Sequence, residues 1–247
     1  MRNRRSTLLF LAAALAVACS CPLAGVTPPG APSATPTGPS APFDTPTSPP
    51  PSAAPTPAPT GTPTIPIAWP KSVAVNCRLG PDTVWVTTSG LNLGQTAEIT
   101  GKNSDASWWY VKDPQNPGSY CWVSAGVTNT AGNLATLAII GPPDAEVTDV
   151  TVKLIPNSVH VGGCVGPLQP ISLKGTITVN GPVKVKWHFE TQQGGSLPEH
   201  ATNFDAFGTK NANEDYTPIL TPGNYWVRLV ITSPNSLVGE AKYKVTC

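Results

Sequence analysis

The C-terminal part of the chain carries the clearest alternation of apolar and polar positions. Val183, Val185, Trp187 and Phe189 alternate with Lys184, Lys186, His188 and Glu190. In a strand, successive side chains point to opposite faces, so such a run has one dry face and one wet face. The same period appears in Ile171, Leu173, Gly175, Ile177 and Val179 against Ser172, Lys174, Thr176 and Thr178. It returns in Tyr225, Val227, Leu229 and Ile231, and finally in Ala241, Tyr243, Val245 and Cys247 against Lys242, Lys244 and Thr246. About seven such strands over residues 144–247 predict an antiparallel β-sandwich.

Upstream the apolar runs are shorter and more heavily punctuated. Val73–Val75, Thr96–Thr100, Trp108–Lys112 and Tyr120–Val123 read as strands. They are separated by the turn signals Gly80-Pro81-Asp82, Lys102 to Asp105, and Asp113 to Gly118. About five short strands in residues 71–140 predict a small β module, and Gly141-Pro142-Pro143 marks its end. Trp85, Trp108, Trp109 and Trp122 crowd this segment. Trp108 and Trp109 are neighbours on one strand, so only one of them can face the core.

Residues 19–70 break every periodicity. The 49 residues from Pro22 to Pro70 hold 17 prolines and a single charge, Asp44. Too little apolar mass is available to offset the entropy of ordering, so the expectation is a disordered tether biased toward polyproline II. Ahead of it, Arg2, Arg4 and Arg5 precede the apolar run Leu8–Ala18, which is too short to span a bilayer. Residues 1–18 therefore read as a secretory signal. Leu15-Ala16-Val17-Ala18 followed by Cys19 resembles the lipobox of bacterial lipoproteins. That resemblance implies that Cys19 is acylated and that the mature chain is held to the outer face of a cell membrane. The alternative is an ordinary cleaved signal.

Charge narrows the partners. The whole chain has 15 Lys+Arg against 14 Asp+Glu. Removing the three signal-segment arginines leaves 12 against 14, or −2, which gives no electrostatic footprint for nucleic acid or an anionic membrane surface. Membrane contact is expected through the lipid anchor alone.

Val75-Asn76-Cys77-Arg78-Leu79-Gly80-Pro81, then Leu93-Gly94-Gln95, Trp108-Trp109-Tyr110-Val111 and Cys121-Trp122-Val123 resemble the bacterial SH3-like domains of cell-envelope proteins. The resemblance covers residues 71–140 and implies a small barrel that binds a ligand. It aligns Trp109 with the core aromatic, which leaves Trp108 and Tyr110 toward the outer face. Arg78, Trp85, Trp108, Tyr110 and Tyr120 are then candidates to line a ligand groove. The competing reading has these aromatics pack against the tether or the second domain. The chain departs from the family pattern at Cys77, where Val or Ile is usual, and at Cys121, where Gly is usual. In an exported chain the two are expected to pair. Trp187 and the segment Gly223-Asn224-Tyr225-Trp226-Val227 resemble the central tryptophan and tyrosine-corner strand of immunoglobulin-like folds. Val227 stands where the second cysteine of an antibody domain would be. Cys164 and Cys247 are expected to join an early strand to the last, leaving Cys21 over.

The expectation is an all-β protein with four parts: a signal at 1–18, a tether at 19–70, an SH3-like domain at 71–140 and an immunoglobulin-like sandwich at 144–247. His160, His188 and His200 are scattered without metal-ligand spacing, and no nucleophile or phosphate-loop motif occurs, so neither an enzyme nor a cofactor or metal is expected. The resemblance implies binding to a cell-wall polymer or peptide, peptidoglycan first among them. The rival is an adhesion or envelope-assembly protein that contacts a protein partner through the sandwich.

Overall fold

A computed structural model describes residues 65–166 and 169–247. The signal segment, Cys19, Cys21 and the tether as far as residue 64 lie outside the described residues. All described residues fall in one compact unit. They form β-strands with two short 3-10 turns and no α-helix, so none is long and apolar enough to cross a membrane.

The first β-body holds eight strands: β1 (Ile67–Pro70), β2 (Val75–Arg78), β3 (Thr87–Leu91), β4 (Ala97–Lys102), β5 (Trp108–Lys112), β6 (Tyr120–Ser124), β7 (Thr128–Ala131) and β8 (Ala138–Ile139). They pair in the order β3-β2-β6-β5-β4-β1-β7, with β8 added parallel to β4. Ile67–Pro70, expected to belong to the tether, is a strand. Its backbone pairs with β4 on one side and β7 on the other, which satisfies donors and acceptors that a proline-rich composition conceals. The core gathers Ala68, Val75, Leu91, Ala97, Ile99, Trp109, Val111 and Val123 around the Cys77–Cys121 disulfide, both cysteines being fully enclosed. The cross-link closes 44 residues, worth about 4 kcal/mol in the chain-entropy account.

The second β-body is a two-layer sandwich. Its strands are β9 (Val147–Ile155), β10 (Ser158–His160), β11 (Ile171–Val179), β12 (Val183–Thr191), β13 (Gly195–Ser196), β14 (His200–Phe204), β15 (Gly208–Tyr216), β16 (Gly223–Ser233) and β17 (Leu237–Thr246). One sheet is β15-β11-β9; the other is β10-β17-β16-β12, with β13 and β14 also paired to β12. The apolar sets of the alternating pattern turn inward, except that Cys247 at the end of the last set is exposed and lies beyond the strand. Ile171, Leu173, Ile177 and Val179 meet Val185, Trp187, Phe189, Val227, Leu229, Ile231, Tyr243 and Val245. Tyr225 Oη donates to the Thr221 carbonyl at 3.0 Å, and Trp187 Nε1 donates to Thr202 Oγ1 at 2.9 Å. Strand order, buried tryptophan and tyrosine corner together make this an immunoglobulin-like sandwich. Cys164 and Cys247 are joined, closing 83 residues and holding the last residue of the chain.

The turn that carries the chain from β11 in one sheet to β12 in the other seats the two bodies on each other. Trp85 is buried, with one approach filled by Gly80 and another by Gly181 of that turn. A Cβ on Gly80 would stand 2.5 Å from the indole, and one on Gly181 would collide with the same ring. Val86 N donates to the Asn180 carbonyl at 3.0 Å, and Phe207 N to the Val84 carbonyl at 2.8 Å. Trp85→Ala empties this slot, and truncating a buried tryptophan costs about 3–5 kcal/mol. The expected calorimetric result is two separated unfolding transitions where the native chain gives one. Within the sandwich, a Cβ at Gly175 would sit 2.6 Å from Leu229 Cδ2 and 2.7 Å from the Ala212 carbonyl. Chemical denaturation should therefore find Gly175→Ala less stable by about 1–3 kcal/mol.

Candidate functional site

The register of β5, β6 and β2 builds one continuous outer face. Trp108 pairs with Ser124, Tyr110 with Trp122, and Lys112 with Tyr120, while Arg78 pairs with Trp122 from the other side. Because alternate residues share a face, Trp108, Tyr110, Tyr120, Trp122 and Arg78 lie on the side opposite the core residues Trp109, Val111, Cys121 and Val123. Trp109 is buried, and Trp108 and Tyr110 are half-buried.

Two depressions divide this face, each of about 300 Å³. The first lies between Trp108, Ser124, Asn76 and Arg78, with Val73, Ala74, Val75, Thr83 and Val127 completing its walls. Val73 and Val127 are largely exposed there, at 64% and 45%, so its apolar character is open to solvent. Arg78 is its one cation, and Arg78 Nη1 donates to the carbonyls of Trp85 at 2.7 Å and Thr83 at 3.2 Å. The guanidinium thus props the loop that carries Trp85 while its flank lines the groove. The second depression lies among Tyr110, Tyr120, Trp122 and Leu79, under Ile140, Gly141 and Pro143 of the linker. Tyr110 stacks on Tyr120 with centroids 5.2 Å apart and leans on Trp122 at 5.0 Å. Burial first, and the neighbouring Tyr120 second, push the Tyr110 phenol above its ordinary pKa.

Four of the five residues expected to line one groove therefore share a face, split between two hollows. Trp85 does not lie on it; its indole is spent at the junction, where the two glycines admit it. Trp122 is on the outer face yet buried, a placement that alternation along β6 alone does not reveal. The sequence marks Val73 only as the start of a strand, which in fact begins at Val75, and does not single out Val127; each sits beside a strand end rather than within a strand.

The polar clusters resolve as follows. Cys77, Asp113 and Cys121 lie within 4.8 Å of one another, but both sulfurs are engaged in the disulfide. Asp113 instead organises the β5–β6 loop. It accepts from Ser89 Oγ at 2.6 Å, Asn116 Nδ2 at 2.8 Å and Gln115 N at 2.9 Å. His200 Nε2 approaches Glu214 Oε2 at 3.6 Å, and its ring lies tilted against Trp187 with centroids 4.6 Å apart. His188 meets Glu190 at 3.3 Å, and His160 meets the Thr246 hydroxyl at 3.0 Å. Trp226 is half-buried on the sandwich's outer face, with the Arg228 guanidinium 4.4 Å above its ring and Arg228 paired to Glu240 at 2.9 Å.

No protein family matches the chain, and no curated protein does. Among solved structures, the CARDB domain of a Pyrococcus furiosus protein, in complex with di-metal ions, is 16% identical with a TM-score of 0.31. It covers 40% of this chain and 93% of its own. A Listeria innocua β-glucosidase in complex with isofagomine is 14% identical with a TM-score of 0.32, over 44% of this chain and 17% of the enzyme. A Parabacteroides merdae β-glucuronidase is 11% identical with a TM-score of 0.28, over 73% of this chain and 25% of the enzyme. The chain thus spans a quarter or less of either enzyme. Likenesses this low transfer no activity or ligand.

Burial raises the Asp113 pKa, but its hydrogen bonds from Asn116, Ser89 and Gln115 outweigh that, and the carboxyl ends below its ordinary value of 3.8. A depressed folded-state pKa adds stability that is full above the unfolded value and fades as pH falls through the folded one. Unfolding free energies measured downward from about pH 5 should therefore fall more steeply for the native chain than for Asp113→Asn below about pH 4.

Proposed function

We propose that this protein is a non-catalytic envelope lipoprotein, anchored through Cys19, whose first β-body is an SH3-like module binding a cell-wall polymer or its peptides. Two disulfides already mark an exported protein. The observation that carries the reading is the solvent-open groove between Trp108, Val73, Val127 and Arg78. An aromatic wall beside aliphatic side chains, with hydroxyl and amide groups of Ser124, Thr83 and Asn76 at hand, suits a ligand with alternating apolar and hydrogen-bonding surface. Peptidoglycan and its stem peptides have that character. Tyr110 and Tyr120 extend the same face toward the linker. The tether would set this groove at a distance from the membrane.

Co-sedimentation of the full chain with purified sacculi tests this. Saturable binding is expected, weakened by more than about tenfold in Trp108→Ala with the thermal transition unchanged. Absence of binding by the native chain would overturn the assignment for that wall. A second reading rests on Trp226, whose ring and stacked Arg228 stand on the wet face of the sandwich. In that case the partner is a protein and the first body is structural. Trp226→Ala, not Trp108→Ala, would then abolish capture.

A further inference from the structure

The three-stranded sheet of the sandwich ends in two nine-residue strands, β15 and β9. The β9–β11 ladder is bulged at Thr178/Val179, and Val147 at the start of β9 exchanges hydrogen bonds with the Asn235 side chain, which leaves β15 as the long regular edge among the described residues. β15 pairs with β11 over nine consecutive positions, Gly208 to Tyr216, without a bulge. Its other edge has no strand partner among the described residues, whereas β17 is flanked by β10 and β12 by β13 and β14. The free edges of the first body, on β3 and β7, are only five and four residues long. An unbulged nine-residue edge with no proline presents outward-pointing amides and carbonyls that template strand addition.

The side chains of β15 say which strand fits. The sequence Thr209-Lys210-Asn211-Ala212-Asn213-Glu214-Asp215 is complementary to itself about Ala212. Laid antiparallel against a second β15 with Ala212 facing Ala212, Lys210 stands opposite Glu214, Asn211 opposite Asn213, and Thr209 opposite Asp215. Opposite charges and amide pairs at facing positions favour a pairing, and like charges oppose it. Positions equidistant from Ala212 share parity, so the outward-pointing amides of one strand meet the outward-pointing carbonyls of the other. Lys210 and Glu214 lie on the core-facing side of the strand. They are held there by Asn203, whose carbonyl accepts from Lys210 Nζ at 2.6 Å, and by His200. Inward charge at an edge repels an arbitrary apolar strand. A copy of the same strand meets each charge with its opposite.

We infer that β15 is a homodimerisation edge, two copies joining by antiparallel β15–β15 pairing about Ala212 into one six-stranded sheet. The contact is isologous, as a two-fold axis through Ala212 requires. One added strand per copy buries less than the roughly 1,200 Å² of a stable interface, so the association is weak and concentration-dependent. It is independent of the proposed groove and of its ligand.

Sedimentation velocity of the full chain from micromolar to millimolar concentration reads the association. The native chain is expected to pass from monomer to dimer. Lys210→Glu alone places two carboxylates opposite each other at both positions, and Glu214→Lys alone places two ammonium groups there. Each variant is expected to remain monomeric over the same range. Mixed together, the two variants regain complementarity at every facing pair and should form a heterodimer, which also shows that neither change has damaged the fold. A native chain that stays monomeric would overturn the inference. So would a dimer that survives both single variants, or a mixture that fails to associate.

Discussion

The arrangement of the described residues depends on one indole and the two glycines that admit it. Trp85 belongs to the first body, and the turn carrying Gly181 belongs to the second. Only the absence of a Cβ at Gly80 and Gly181 lets the ring sit flush against backbone on both approaches. Once it is seated, the Val86 and Phe207 amides reach carbonyl partners across the junction, and Arg78 secures the loop from behind. Hydrogen bonds of this kind contribute little until their groups are positioned; here packing does the positioning. The relative placement of the two bodies therefore rests on the seating of Trp85 together with the Val86 and Phe207 hydrogen bonds.

That arrangement shapes the candidate site. Arg78 props the Trp85 loop and also lines the hollow beside Trp108, so the candidate face and the junction share a side chain. The linker residues Ile140, Gly141 and Pro143 line the hollow at the Tyr110–Trp122 end of the same face, while Val73 and Val127 flank the Trp108 end. Aromatic surface beyond what a small core requires is thus divided among three tasks. Trp109 fills the core, Trp85 joins the bodies, and Trp108 with its neighbours lines the open groove.

Much of the second body could be read from its residues, because period-two alternation is a direct record of which face is dry. Ile171 to Val179, Val185 to Phe189 and Val227 to Ile231 all turned inward as their spacing demands, and Cys77–Cys121 and Cys164–Cys247 are joined as compartment and domain logic require. The first strand was concealed because Ile67-Ala68-Trp69 is embedded in proline-rich sequence and earns its place by pairing on both sides. The role of Trp85 was concealed for a different reason. Its two glycine neighbours belong to different bodies, far apart in the chain, and no local pattern connects them. Likewise the face shared by Trp108, Tyr110 and Arg78 depends on the register of three strands, which sequence spacing leaves free.

β1 lies between β4 and β7 and is the strand nearest the N-terminal segment. A pull transmitted through that segment, along the strand, loads the ladders on both flanks together in shear instead of peeling bonds apart one by one. Behind β1, the Cys77–Cys121 bond fixes β2 to β6 covalently, so a tug that reached them would meet a link that does not slide. At the opposite terminus, the parallel β10–β17 pairing and the Cys164–Cys247 bond clamp the final strand in the same fashion. Both ends of the described chain are thus held by strand pairing on two sides or by a covalent bond, so neither can fray without breaking several contacts at once.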